Sequence, residues 1–328
     1  MKTFVKILLG LLGLIVVVIV ALVSYVKLAL PKVGDPPDLQ VELTAERLER
    51  GEYLAWYGAG CMDCHSLRDP SVYSLPPVPG REGAGGFRFS HEIGFPGVMY
   101  SPNITPAGLG EWTDGEIFRA ITAGVDNEGS ALFPVMPYHD YAKMDEEDIY
   151  SIIAYLRTLA PVESQIPERE LDFPLGLMVN LMPEEPELPA RPDPSDQVAY
   201  GEYVANAAGC IHCHTTQDER GMMIPELLLA GGAEYPMPTG GVVRSANLTP
   251  DEETGIGKWS EEAFLLRFKI YADSSVRLPE VRDGDMNTPM AWSLYSRLTE
   301  EDLKAIYAYM KSVQPISNKV ERFTPPPG

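Results

Sequence analysis

Cys61-Met-Asp-Cys64-His65 and Cys210-Ile-His-Cys213-His214 are two copies of one pentapeptide, CxxCH, and together they hold all four cysteines of the 328-residue chain. On a helix, residues i and i+3 share a face, so the two thiols of each copy point the same way and the histidine follows on the same turn. Two thiols so placed can add to two vinyl groups of a flat ring, and the adjacent imidazole can reach the metal at its centre. This is the attachment pattern of c-type haem. It names Cys61, Cys64, Cys210 and Cys213 as tethers and His65 and His214 as iron ligands. The plainer readings of CxxC are a zinc knuckle and a dithiol redox pair. Zinc sites built from two CxxC pairs set them about 15–20 residues apart, whereas these lie in opposite halves of the chain. A redox dithiol does not call for histidine after the second cysteine in both copies.

The pentapeptides are the centre of a longer internal repeat. Gly51-Glu-Tyr-Leu-Ala leads into Cys61 and Gly201-Glu-Tyr-Val-Ala into Cys210. GVMYSPNITP, from Gly97 to Pro106, aligns without a gap on GVVRSANLTP, from Gly241 to Pro250, and Trp112-Thr113 answers Trp259-Ser260. A final block beginning at Met136 aligns without a gap on one beginning at Met290, setting Tyr141 on Tyr295 and Asp148 on Asp302. That block ends in an amphipathic helix, with Ile149, Ile152, Ile153 and Leu156 answered by Leu303, Ile306, Tyr307 and Met310 at i, i+3, i+4, i+7. Thr113-x-x-Glu116 and Thr299-x-x-Asp302 read as helix-start boxes.

An electron carrier needs a second axial donor on each iron. Thioether sulfur is soft and suits a haem iron held at high potential. Most of the 13 methionines are core filler; Met144, which aligns with Leu298, is one. Only Met136 and Met290 match each other across the ungapped block, which makes them the candidate sixth ligands. His91 has no counterpart, His139 aligns with Ser293, and His212 occupies a variable x position, so ordinary polar roles suit these three. Asn103, Asn247, Trp112 and Trp259 shape the crevice, either as turn and core residues or as hydrogen-bond donors to the haem propionates.

Residues 7–23 carry no charge and are dominated by Leu, Ile and Val. The apolar run between Lys6 and Lys27 suffices for a membrane-crossing helix and exceeds the roughly 7–15 residues of a signal-peptide core. An uncleaved anchor is expected; Lys2 and Lys6 favour a cytoplasmic start, while Lys27 and Lys32 on the far side weigh against it. The stretch 161–197 is rich in Pro and acids and reads as an irregular surface linker, with 171–182 apolar enough to dock or form a short helix. The chain has 26 basic and 47 acidic residues, a net charge of −21. That argues against a nucleic-acid partner and fits docking of a basic protein over acidic patches.

With these motifs in hand, the chain resembles tandem class I cytochrome c domains. More narrowly, it resembles the cytochrome c subunit of membrane-bound bacterial alcohol and gluconate dehydrogenases. The likeness runs over about 43–313. It departs from that family in carrying two haem motifs rather than three and in its N-terminal anchor. The resemblance implies an all-α fold, two covalently bound haem c groups and attachment outside the bacterial cytoplasm, with haem domains in the periplasm at the inner membrane. It also implies electrons entering from a periplasmic or membrane dehydrogenase and leaving to a quinone, a quinol-oxidising complex or a terminal oxidase. The expected divisions are an anchor over 1–30, a linker over 31–43, cytochrome c domains over 44–160 and 198–315, a Pro-rich linker over 161–197 and an unstructured tail over 316–328. The expected activity is electron transfer without substrate turnover. The rivals are a dihaem peroxidase-like enzyme and a haem-based sensor module.

Overall fold

The computed structural model describes residues 2–218, 221–273 and 275–327. Helix α1 (Lys2–Ala29) is long and apolar enough to cross a membrane. At 1.5 Å per residue, its uncharged stretch makes a rod of about 30 Å. Its side chains are exposed except at Val23 and Val26, which are partly covered.

The first repeat begins with α2 (Ala45–Tyr53), capped by the Thr44 side chain, which accepts from Arg47 N, and running on through a π-type turn over Leu54–Gly58. The first CxxCH forms α3 (Cys61–Cys64). A hairpin of β1 (Arg88–Phe89) and β2 (Gly97–Tyr100) follows, then α4 (Pro106–Leu109). Helix α5 (Asp114–Ala123) starts with the expected capping box of Thr113 and Glu116. The short α6 (Tyr138–Tyr141) leads to α7 (Glu146–Thr158), and beyond it lie β3 (Glu170–Leu171) and α8 (Leu175–Met178). The second repeat runs through α9 (Gln197–Ala207), α10 (Cys210–His214), β4 (Glu234–Pro236), β5 (Val242–Arg244), α11 (Glu261–Lys269), α12 (Trp292–Tyr295), α13 (Glu300–Ser312) and β6 (Phe323–Thr324).

The chain is mostly helical, but the all-α expectation is corrected by two antiparallel three-stranded sheets, β1-β2-β3 and β4-β5-β6. Strands of two to four residues are too short to print an alternating pattern, and the third strand of each arrives from beyond the last helix of its repeat. Leu171 pairs with Gly97, and Thr324 with Val242. The stretch expected to be irregular and the tail expected to be unstructured therefore each complete a sheet. An asparagine latches each in place. Asn103 Nδ2 donates to Val162 O (2.8 Å) and Ser164 Oγ (2.9 Å), while Asn247 Nδ2 donates to Ile316 O (2.7 Å).

In each repeat the first long helix crosses the last at a glycine. A Cβ on Gly51 would lie 1.8 Å from Ser151 O, and one on Gly201 would lie 1.9 Å from Ala305 O. The apolar faces foreseen for the last helices are buried, with Ile149, Ile152 and Ile153 matched by Leu303 and Ile306. Most buried apolar side chains of both repeats join in one contiguous cluster, and Leu75, Met237 and Val243 form a second, smaller one.

The repeats meet reciprocally. Tyr53 OH donates to Asp302 and accepts from Thr299 N (3.1 Å), while Tyr203 OH donates to Asp148 (2.6 Å) and accepts from Asp145 N (3.1 Å). The aligned residues thus exchange partners across the interface, as in a two-fold pair. Tyr200 OH adds a bond to Asp302 (2.8 Å), and Arg50 and Arg191 pair with Asp148.

Candidate haem-binding site

A left-handed glycine opens each CxxCH helix, Gly60 at φ +65° and Gly209 at φ +70°. It turns the chain sharply from the preceding helix, so that the cysteines lead the next one. His65 is buried, and its Nδ1 lies 2.9 Å from Pro102 O. His214 Nδ1 lies 2.8 Å from Ala246 O, at the aligned position. A carbonyl only accepts, so Nδ1 carries the proton and Nε2 keeps its lone pair for a metal. Burial holds both rings neutral, with His214 pushed down to about 4.

The thiols argue against a redox dithiol. Burial pushes Cys61, Cys64 and Cys210 up to about 12, whereas reactive cysteines sit where the thiolate is favoured. Among the described residues, no group of three or more His, Cys, Asp or Glu side chains is arranged to hold a metal ion, which sets zinc aside.

Cys61, Cys64, His65 and Met136 line one cavity of about 760 Å³, within the roughly 300–1,000 Å³ of small-molecule sites. Its walls are largely apolar, with Ile104, Leu109, Trp112, Ile117 and Ile121, and Asp126, Ser130 and Arg169 supply polar groups. Paired thiols, a neutral imidazole and a thioether around an apolar slot form the donor set of a covalent haem. The residues present fit the group.

In the second repeat Met290 occupies the same turn as Met136. Tyr138 N donates to Met136 O and Trp292 N to Met290 O, both at 2.8 Å. The following tyrosine ties that turn to the residues before each CxxCH: Tyr141 OH donates to Ala59 O (2.6 Å) and Tyr295 OH to Ala208 O (2.7 Å).

The other histidines lie outside this constellation. His91 is exposed and pairs with Asp172 (2.7 Å), His139 stacks at a tilt on Tyr138, and His212 lies 3.3 Å from Gln217 Nε2. Met144 and Leu298 are both core residues. Asn103 and Asn247 each accept from the threonine two residues on as well as latching the trailing strand. Both ends of their amides are taken, so the turn role prevails over propionate binding.

Sequence reasoning missed Arg169 and Arg322. Each ends a Glu-Arg dipeptide beside the trailing strand of its repeat, and desolvation lowers both guanidinium values. Arg169 lines the cavity, and Arg322 lies close enough to His214 to depress its pKa. The repeated dipeptide was the available signal, hidden because the alignment stopped at the last helix.

Comparisons with known proteins agree with this chemistry. The cytochrome c family model matches residues 198–314. A "Diheme cytochrome c-type" protein of Cereibacter sphaeroides is 30% identical over 296 residues, covering 87% of this chain and 91% of that protein. The chain belongs to the cytochrome c family. Its cofactor is of the covalent haem c class. This cytochrome is also 28% identical to the "Alcohol dehydrogenase (quinone), cytochrome c subunit" of Gluconacetobacter polyoxogenes, over 92% of its own length and 62% of that subunit. It is 28% identical to the "Gluconate 2-dehydrogenase cytochrome c subunit" of Pantoea cypripedii, over 81% of its own length and 59% of the relative. The chain thus spans about three fifths of these dehydrogenase subunits.

Proposed function

We propose that the chain is a membrane-anchored dihaem cytochrome c that moves single electrons in a periplasmic respiratory chain, as the electron-accepting subunit of a dehydrogenase. Residues 44–160 and 198–315 are its two haem domains and α1 its anchor. The observation that carries this reading is the duplication of the whole site. Both CxxCH motifs follow a left-handed glycine, both histidines give Nδ1 to a carbonyl, and both methionines occupy one kind of turn. The loop after the first CxxCH reaches the second site, with Ser74 Oγ donating to Met290 O (2.6 Å).

When bound, haem supplies a one-electron ferric/ferrous couple. The protein does the rest. Cys61, Cys64, Cys210 and Cys213 would hold the group by thioether bonds. Pro102 and Ala246 fix the tautomer of His65 and His214, leaving Nε2 as donor. Met136 and Met290 would offer sulfur to the iron of the bound group, and Ile104, Leu109 and Ile117 would keep water from the first crevice. Arg169 and Arg322 would set a cation beside the bound group's carboxylates. A peroxidase needs one site with an open position, and equivalent methionines in both repeats speak against it. The names of the dehydrogenase relatives support the partner class.

Purification from native membranes in mild detergent, with mass spectrometry of what stays bound, tests the partner. A flavin- or quinone-cofactor dehydrogenase in the complex is the expected result. An oxidase or quinol-oxidising complex in its place would make the chain a general tethered carrier.

A further inference from the structure

The turn carrying Met290 is bonded at the methionine itself from the other repeat; in the first repeat Asn206 Nδ2 reaches only Asp140 O (2.9 Å), past the turn, and no side chain of the second repeat bonds Met136 O or Tyr138 N among the described residues. Ser74, in the loop after the first CxxCH, is 1% exposed, and Asn287 is fully buried. Ser74 Oγ donates to Met290 O (2.6 Å) and accepts from Trp292 N (2.9 Å). Ser74 N donates to Asn287 Oδ1 (2.9 Å), and Asn287 Nδ2 returns to Pro70 O (3.1 Å) and Val72 O (3.2 Å). Val72 also bridges to Glu280, and Val281 N donates to Ser71 O (2.7 Å). On the near side Arg68 Nε holds Leu75 O (2.9 Å), while its guanidinium meets Asp63 of the first CxxCH (3.4 Å). Each methionine's own N–H bonds locally, Met136 N to Phe133 O and Met290 N to Thr288 Oγ1, both at 3.1 Å, so the two turns differ only in the hydroxyl that Ser74 brings to the second.

The backbone marks the loop as specialised. Ser74 has φ +72° and Leu75 φ +46°. Non-glycine residues in this region are strained and persist where their surroundings over-determine them. Here the left-handed turn aims one hydroxyl at both the carbonyl of Met290 and the amide two residues on. A hydroxyl bonded to both backbone groups braces the turn between them, and the side chain of Met290 issues from that turn.

We propose that Ser74 is a positioning residue for Met290, supplied by the first repeat to the haem site of the second. This rests on the reading of Met290 as an axial donor. Sulfur held firmly on a haem iron raises its potential, so the loop over 70–75 sets the potential of the second haem and makes the two sites inequivalent. A single repeat would lack this control, which gives the fused pair a function beyond tethering two carriers.

Ser74→Gly is the informative change, because glycine accepts φ +72° without strain while the hydroxyl is lost with its Cβ. The full-length holoprotein is followed by potentiometric titration and by the near-infrared sulfur-to-iron charge-transfer band. Met290→His identifies the wave of the second haem. Ser74→Gly is expected to lower that same wave and weaken the band, leaving the other wave in place. An unchanged wave and band in Ser74→Gly, with Met290→His still moving one wave, would overturn the positioning role and keep Met290 as ligand. An equal shift of both waves would also overturn it, since the loop would then act on the fold as a whole. If Met290→His moves neither wave, the ligand reading fails and the positioning role with it.

Discussion

Gly51 and Gly201 show how much one missing methyl decides. Each lies where two helices approach so closely that a Cβ would enter a backbone carbonyl, and backbone cannot swing aside as a flexible side chain can. Overpacking of this kind costs about 1–3 kcal/mol. Gly51→Ala and Gly201→Ala are each expected to lower the midpoint of guanidinium unfolding of the holoprotein, followed by far-ultraviolet circular dichroism. Gly10→Ala, in α1 where a Cβ meets nothing within 4 Å, should leave it unchanged. Equal midpoints in all three would show that the helices have room to part. Both glycines stand in the repeated Gly-Glu-Tyr motif, so their importance was legible, but the sequence does not say which helix presses on them. The tyrosines of the same motif were equally visible and equally mute. Only the fold reveals that Tyr53 reaches Asp302 and Tyr203 reaches Asp148. Tyr203→Phe leaves Asp145 N and one lone pair of Asp148 without that partner, and an unmet buried group costs about 1–3 kcal/mol. A loss of this order in the same unfolding assay is expected, and none would mean that water replaces the hydroxyl.

Between elements, the interface is held by carboxylates and is therefore sensitive to acid. Burial opposes the charge on Asp148, but Arg50, Tyr203 and Arg191 outweigh it and hold its carboxyl below the ordinary value of 3.8. A depressed folded value means that this stabilisation is fully present above the unfolded pKa and is lost as pH falls through the folded one. Unfolding midpoints of the wild type should fall on acidification below about pH 4, and Asp148→Asn should flatten that part of the profile. Parallel profiles would remove Asp148 from the acid response. The trailing strands give a second check. Asn247→Ala removes the shorter bond to Ile316 O, leaving Thr249 Oγ1 at 3.2 Å, and so loosens the segment that leads to β6. Hydrogen exchange at Phe323 and Thr324 should then quicken while α13 stays protected; unchanged exchange would show the strand held by its sheet pairing alone. The helices were readable because their apolar spacing and starts are local signals. The strands were not, because two to four residues carry no period and β6 pairs with a strand far away in the chain.

For the whole molecule, charge and duplication matter most. A net charge of −21 gives a field that attracts a basic partner. Electron transfer to a basic carrier should slow as salt is raised from about 0.01 to 0.1 M, where the Debye length shrinks from about 30 to 10 Å. A rate indifferent to salt would leave the charge as a solubility device. The proposed haem tethers and histidines are read from the rigid spacing that covalent attachment imposes, and the proposed methionines from the ungapped repeat. The brace from Ser74 to Met290 could not be read in this way, because it joins a loop without a repeat partner to a turn in the other half. Intact mass spectrometry of the denatured protein from native membranes tests the central claim most directly. Covalent haem survives denaturation, so the account predicts a mass excess of two haem groups per chain. An excess of one haem or none would contradict it.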